Sequence, residues 1–333
     1  MPIDITTEYL GLKLRSPLVP SASTLADDMD KLKKLEDAGA SAVVLHSLFE
    51  EQIRRDRDEL FERTEQGTES FAEALTYFPE ISDGGLAPDE RLEQIGKAKK
   101  ALKIPVIASL NGSSLGGWTD YAKKIEEAGA DALELNIYTI PTDLDEPGAK
   151  VEDTAVEIVR SVRKVVKIPL GVKCSPFYSN MANMAKRFVE AGANGLVLFN
   201  RFYQPDVDLE NVDIRPKVLW STPQAARLPL TWIGILYGRL KTDFAATSGV
   251  HTGRDALKML MVGANVTMIA SALYRHGIKH LPLMEREMLE WMEKNEYESV
   301  HQLRGSLSQI NCPDPSAFER AHYMRALQTP PAA

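Results

Sequence analysis

A phrase close to Glu-Ala-Gly-Ala occurs four times in this chain, each time between a helical stretch and a short apolar run. The copies read LEDAGASAVVLHS, IEEAGADALELNI, FVEAGANGLVLFN and LMVGANVTMIAS, with glycines at Gly39, Gly129, Gly192 and Gly263. Glycine just past a helix end adopts the left-handed conformation that a Cβ opposes. The apolar run that follows suits a strand buried on both faces. A helix, a glycine stop and a buried strand, repeated along the chain, predict parallel strands closed into a barrel.

The spacing predicts eight strands, near 18–22, 42–47, 105–110, 132–137, 169–174, 195–200, 243–248 and 265–270. Helical patterns lie between most of them, and the matched phrases Leu102-Lys103-Ile104-Pro105 and Val166-Lys167-Ile168-Pro169 each end a helix and open a strand. The expected fold is a TIM (β/α)8 barrel, with an N-terminal hairpin at 3–19 turning at Gly11 and a helical C-terminal extension from 281 to 333. The length, 333 residues with 44% hydrophobic, fits one such domain. Residues 48–88 and 201–240 are long connections after strands two and six, on the face where barrel enzymes keep their chemistry. They are candidate lids or substrate walls, and the charged run EEQIRRDRDELFER reads as a solvated amphipathic helix.

A net charge of -8 argues against nucleic-acid or acidic-membrane partners. Cys174 and Cys312 are too few for a disulfide framework or a cysteine-ligated metal site. No signal-like segment or membrane-length apolar run is visible, so a soluble cytoplasmic protein is expected.

The predicted strand tips are rich in hydroxyls and amides. They carry Ala22 and Ser23, His46 and Ser47, Ser109, Glu134 and Asn136, Lys173, Asn200, Ser248 and Gly249, and Ala270 and Ser271. No Asp/His cluster suggests a metal. Small residues after strands seven and eight, beside the helix that opens at Gly253, form the usual barrel phosphate site. Lys173 lies on an apolar strand, where an unpaired ammonium is costly. It acts either as a Schiff-base nucleophile or as a fixed cation beside a cofactor that becomes anionic. Asn136 and Asn200, at the ends of alternate strands, point to ligand binding. Cys174 faces away from Lys173 into the core; Trp118 and Tyr138 read as packing residues; Arg201 and Arg227 are candidate carboxylate forks or surface residues.

Several phrases taken in order carry a resemblance: LGLKLRSP from Leu10 to Pro17, Glu134-Leu135-Asn136-Ile137, Pro169–Lys173, Asn200, Ser248–Ala256, and Gly263-Ala264 through Leu273. Together they resemble class 1 dihydroorotate dehydrogenases, and more closely the divergent bacterial proteins of that type. The resemblance implies a TIM barrel carrying FMN at its C-terminal face, a small-molecule substrate and a homo-oligomer. It implies that Ala22, Ser23 and Ser47 flank the flavin and that Asn136 and Asn200 bind flavin or substrate. It implies too that Lys173 approaches the pyrimidine end of the ring and that Ser248, Gly249, Ala270 and Ser271 hold the phosphate. Fumarate, a quinone, nicotinamide or a separate electron carrier are the acceptors left open.

The chain also departs from that pattern. The family's Cys or Ser base falls at Thr139, an expected asparagine falls at Pro141, and a lysine beside the flavin becomes His46. The substrate-loop asparagine is replaced near Pro79-Glu80. Flavin contacts are kept and orotate contacts altered, so the expected reaction is oxidation of dihydroorotate or of a related CH–CH substrate. Thr139 or His46 serves as base and Lys173 as the charge partner. The alternatives are a Schiff-base lyase using Lys173 and a flavin-binding protein that has lost catalysis.

Overall fold

The structure is a computed structural model that describes residues 3–49, 88–112, 115–202, 204–215, 219–320 and 328. The chain opens with a hairpin, β1 (Thr7–Tyr9) and β2 (Leu12–Leu14), and enters the barrel at β3 (Leu18–Pro20). Then follow α1 (Met29–Asp37), β4 (Val43–Val44), β5 (Leu48–Phe49), α2 (Pro88–Ala101), β6 (Val106–Asn111), α3 (Leu115–Glu127), β7 (Ala132–Asn136) and α4 (Gly148–Val165). The second half runs β8 (Leu170–Cys174), α5 (Met181–Glu190), β9 (Gly195–Leu198), β10 (Asp206–Asp208), β11 (Asp213–Arg215), α6 (Arg227–Leu236), β12 (Asp243–Thr247), α7 (Gly253–Val262) and β13 (Val266–Ile269). Three α-helices follow, α8 (Ser271–His276), α9 (His280–Lys294) and α10 (Val300–Leu303), and then a 3-10 turn at Pro315–Phe318.

Parallel pairing runs β3-β13-β12-β9-β8-β7-β6-β4, with β5 also on β6. Ser41 N–H donates to Leu18 O at 3.2 Å and brings the two ends together. The fold is a TIM barrel.

The repeated phrase is a helix stop with a complete hydrogen-bond pattern. Gly39, Gly129, Gly192 and Gly263 all have positive φ, between 93° and 121°. In each copy the glycine N–H bonds three residues back and the next alanine five residues back, as in Gly39 to Glu36 and Ala40 to Leu35. That is the Schellman cap, which satisfies the last carbonyls of a helix and turns the chain into the next strand.

Alternation along the strands divides the core in two. One cluster lies between strands and helices. The other, inside the barrel, gathers Tyr9, Leu10, Val19, Val44, Ile107, Val197, Ala245 and Met268. The hairpin supplies its floor. Leu10 and Gly11 form the turn, both at positive φ. Leu10 N–H donates to Asp243 Oδ2 at 2.8 Å, and Tyr9 and Leu10 fill the space left by Gly171 and Gly195. Burial pushes the Asp243 carboxyl above its usual range.

Two expectations about long segments change. Part of 201–240 is the regular helix α6, which packs against α7 and β12. Pro229 hides it in the sequence, yet in the first turn a proline removes no intrahelical hydrogen bond. What remains of the connection includes the short hairpin β10–β11. In the tail expected to be helical from 281, α10 ends at Leu303, and Gly305, Leu307 and Gln309 donate backbone N–H groups to Leu260, Met261 and Gly234 instead. The charged run and Pro79-Glu80 lie outside the described residues.

Candidate functional site

Strand alternation aims Ser109, Glu134, Asn136 and Lys173 at the barrel interior. In the β7–β8 register Glu134 faces Gly171 and Asn136 faces Lys173. Lys173 Nζ lies 3.6 Å from Glu134 Oε1, and both residues are buried. Ser109 Oγ donates to the same carboxylate oxygen at 3.3 Å, and Ser47 Oγ stands 2.8 Å from Ser109 Oγ. A polar chain thus crosses β6, β7 and β8 from the segment between β4 and β5. Lys173 is an ion-paired cation, a partnership that one strand read alone does not reveal. Burial and the charges of Glu134 and Asp243 raise the Tyr9 phenol well above its normal range, so the floor beneath this chain is a neutral phenol.

Asn200 Nδ2 donates to Ile137 O at 2.9 Å and reaches Lys173 O at 3.5 Å, tying the tips of β7, β8 and β9 together. Asn136 Oδ1 and Glu134 Oε2 are buried without a hydrogen-bond partner among the described residues. Unsatisfied buried acceptors are rare in folded proteins, and a bound ligand or water is one way to satisfy them. Thr139 is exposed just beyond, and Tyr138 packs on Phe202, with ring centroids 5.3 Å apart.

A second cluster joins other tips on the same rim. Ser221 N–H and Oγ each donate to Ser271 Oγ at 3.0 Å, and Gly249 N–H donates to Ser221 Oγ at 3.1 Å. The β12 and β13 turns are thereby bridged by a serine that sequence reading missed. Its signal is absent from the sequence, since Ser221 lies 50 residues from Ser271. Ser248 and Gly249 both have φ of 76°, and Ala270 precedes Ser271 directly. Tyr274 Oη meets Thr24 N and Oγ1 and its ring stacks on Trp220, which draws the β3 tip, with Ala22 and Ser23, toward the same cluster.

The start of α7 is spoken for. Thr252 and Asp255 form a reciprocal capping box, and Gly253 N–H donates to Glu287 Oε2 at 2.7 Å. At this end Gly249 N–H, Ser221 and Ser271 form one hydrogen-bonded cluster, while the first turn of α7 is taken up by its own cap and by Glu287.

His46 is placed by a bulge. Val44 pairs with Ile107 and Leu48 with Leu110, so the segment from β4 to β5 holds one more residue than β6. Ser47 keeps contact with Ser109, while His46 Nδ1 turns to Asp27 Oδ1 at 2.8 Å, an oxygen shared with Arg91 at 3.2 Å. Arg201 Nε donates to Leu219 O and holds the segment that leads to Ser221; Arg227 is exposed at the start of α6. Trp118 is buried against Gly112, and burial pushes the Cys174 thiol up, far from reactive range.

His251 carries the cluster's pH sensitivity. It is buried, and its Nε2–H donates to Ser221 O at 2.9 Å. Burial lowers its pKa from 6.5, helped by nearby Arg275 and His276 and opposed by the Ser221 bond and Asp255. The neutral ring is the folded form, so its contribution is complete above pH 6.5 and is lost as pH falls through the lower folded value. Melting temperature measured from pH 7.5 to 5 should decline on the acid side, and the decline should be shallower in His251→Gln. Parallel curves for the two proteins would count against this assignment.

Among the described residues no group of three or more acidic, His or Cys side chains is able to hold a metal ion, and no helix is long and apolar enough to cross a membrane. The Dihydroorotate dehydrogenase family profile matches residues 5–292. The catalytic subunit of dihydroorotate dehydrogenase B (NAD(+)) of Thermoplasma volcanium is 27% identical over 314 residues, 91% of this chain and 98% of its own. The corresponding subunit of Geobacter sp. is 30% identical over 246 residues, 66% of this chain and 73% of its own. The chloroplastic dihydropyrimidine dehydrogenase (NADP(+)) of Arabidopsis thaliana is 22% identical over 331 residues, 91% of this chain and 76% of its own. With a barrel of this topology, an ion-paired lysine in its interior and a family match across most of its length, the chain belongs to the dihydroorotate dehydrogenase family of oxidoreductases.

Proposed function

We propose that this protein is an FMN-dependent dehydrogenase that oxidises a CH–CH bond of dihydroorotate or a related planar ring carbonyl compound. The observation that carries this reading is the pairing of two features on one rim: the Lys173 ammonium beside unsatisfied acceptors, and the Gly249–Ser221–Ser271 cluster of hydroxyls and backbone N–H. The two suit opposite ends of one phosphorylated ring cofactor. When bound, FMN supplies the two-electron chemistry, and the protein positions and tunes it.

In this reading Gly249 N–H, Ser248, Ala270, Ser271 and Ser221 would hold the phosphate, and Ala22, Ser23 and Ser47 would flank the ring. Lys173 would stabilise negative charge on the bound ring. Its pairing with Glu134 supports the fixed-cation role over the Schiff-base role, which needs a free neutral amine. Asn136 and Asn200 orient the substrate. The proton passes to Thr139, which is exposed just beyond β7 and would release its own hydroxyl proton to solvent, or to His46, whose Nδ1 lies 2.8 Å from Asp27 Oδ1. Relatives named as catalytic subunits support an acceptor reached through a separate electron-carrier protein. The exposed Val207, Leu209, Val212 and Ile214 of the β10–β11 hairpin suit contact with another chain, here a second copy. We read residues 1–333 as one FMN-binding unit, working in the cytoplasm.

The test is direct. Purified protein is incubated with FMN, desalted and examined for flavin absorbance, then mixed anaerobically with dihydroorotate and with dihydropyrimidines. Retained flavin that bleaches with one of these donors is expected. A protein that retains no flavin, or one that borohydride couples to an aldehyde at Lys173, would sink the reading.

A further inference from the structure

Glu134 is only 1% exposed, yet one of its carboxylate oxygens, Oε2, has no hydrogen-bond partner among the described residues. Its other oxygen takes Ser109 Oγ at 3.3 Å and faces Lys173 Nζ at 3.6 Å. The second distance is too long for an N–H···O hydrogen bond, so the attraction to Lys173 is that of two charges. A buried carboxylate with a single long neutral hydrogen bond is poorly compensated, because each missing partner costs stability. Gly171 stands across from Glu134 in the β7–β8 register, and the nearby floor is made by Tyr9 and Leu10.

The geometry explains what the carboxylate does. Lys173 alone would present a full positive charge to whatever lies above it. With Glu134 behind it, the pair presents a dipole with its positive end outward, and the ammonium is restrained toward β7. Ser109, backed by Ser47, fixes the carboxylate that does the restraining.

We propose that Glu134 is a positioning residue that holds the Lys173 ammonium and damps its field, so setting the redox potential of a flavin bound at this rim. The inference rests on the flavin reading above. It assigns the reducing power of the cofactor to a carboxylate, not to the lysine alone.

The experiment compares wild type, Glu134→Gln and Glu134→Asp, each loaded with FMN, by spectroelectrochemical titration of the bound flavin and by its dissociation constant. Gln keeps the shape and removes the charge. The expected result is a midpoint potential more positive than wild type, with reduced flavin favoured over oxidised by on the order of tenfold. Asp retains the charge but draws it back, and should shift the potential less in the same direction. A merely structural role predicts something else: weaker flavin binding with no positive shift. An unchanged or lower potential in flavin-loaded Glu134→Gln overturns the inference and leaves the flavin reading standing. Should Glu134→Gln fail to fold, the Glu134→Asp potential decides, and no positive shift there overturns the inference. Wild-type protein that takes up no FMN overturns both.

Discussion

Lys173→Met should lower the rate at which donors reduce the bound flavin by about 10²–10³-fold, the range seen when one preorganised charge-stabilising group is removed. Methionine fills most of the same volume without the charge. The same substitution should also destabilise the fold, because Glu134 is left as a buried carboxylate without its counter-charge. Breaking one side of a buried pair costs about 3–5 kcal/mol. The two effects separate in the double variant Lys173→Met/Glu134→Gln. Removing both charges should return most of the stability, measured by chemical denaturation, and none of the flavin reduction rate. If the single variant keeps wild-type stability, the pair is not the buried unit described here. If it keeps wild-type rates, Lys173 does not face the reacting ring.

Gly249→Ala should fail for a different reason, and more locally. Gly249 has φ of 76°, and a Cβ there would lie 2.3 Å from Ala226 N and 2.9 Å from Ala226 Cα. The left-handed backbone costs a non-glycine residue roughly 1–2 kcal/mol. Overlap with main-chain atoms adds about 1–3 kcal/mol, since Ala226 leads directly into α6 and is itself buried. Relief of that overlap moves the N–H that meets Ser221, so flavin retention should fall along with thermal stability. Gly11→Ala is the control. It shares the positive φ, at 71°, but has nothing within 4 Å of the added methyl, so only the backbone cost of about 1 kcal/mol is expected. Equal losses at the two positions would show that backbone strain alone, and not contact with Ala226, limits substitution at Gly249.

Much of the barrel was legible because its punctuation is local. A Schellman cap needs one glycine and the hydrogen bonds of six consecutive residues, so LEDAGA or FVEAGA carries it within a single window. The inward aim of Lys173 and the outward aim of Cys174 follow from the two-residue period of a strand. The hairpin at Gly11 was visible from its alternation, and its strands pair as Thr7 with Leu14 and Tyr9 with Leu12. By contrast, α6 was obscured by Pro229, whose helix-breaking reputation does not apply in a first turn. The helical pattern after 299 was overruled where α6 and α7 offered the tail backbone partners.

The candidate site divides along the same physical line. Which residue types stand at the strand tips, and on which face, is determined by the sequence, because periodicity and helix stops act over a few neighbours. Which tips meet was decided only by tertiary structure. The Glu134–Lys173 pair depends on the β7–β8 register, the turn of His46 toward Asp27 on one extra residue opposite β6, and the seat of Ser221 between Gly249 and Ser271 on a connection folded back across the rim. Each arises from hydrogen bonding between segments distant in the chain, and such partnerships leave no mark in the spacing of the residues that form them.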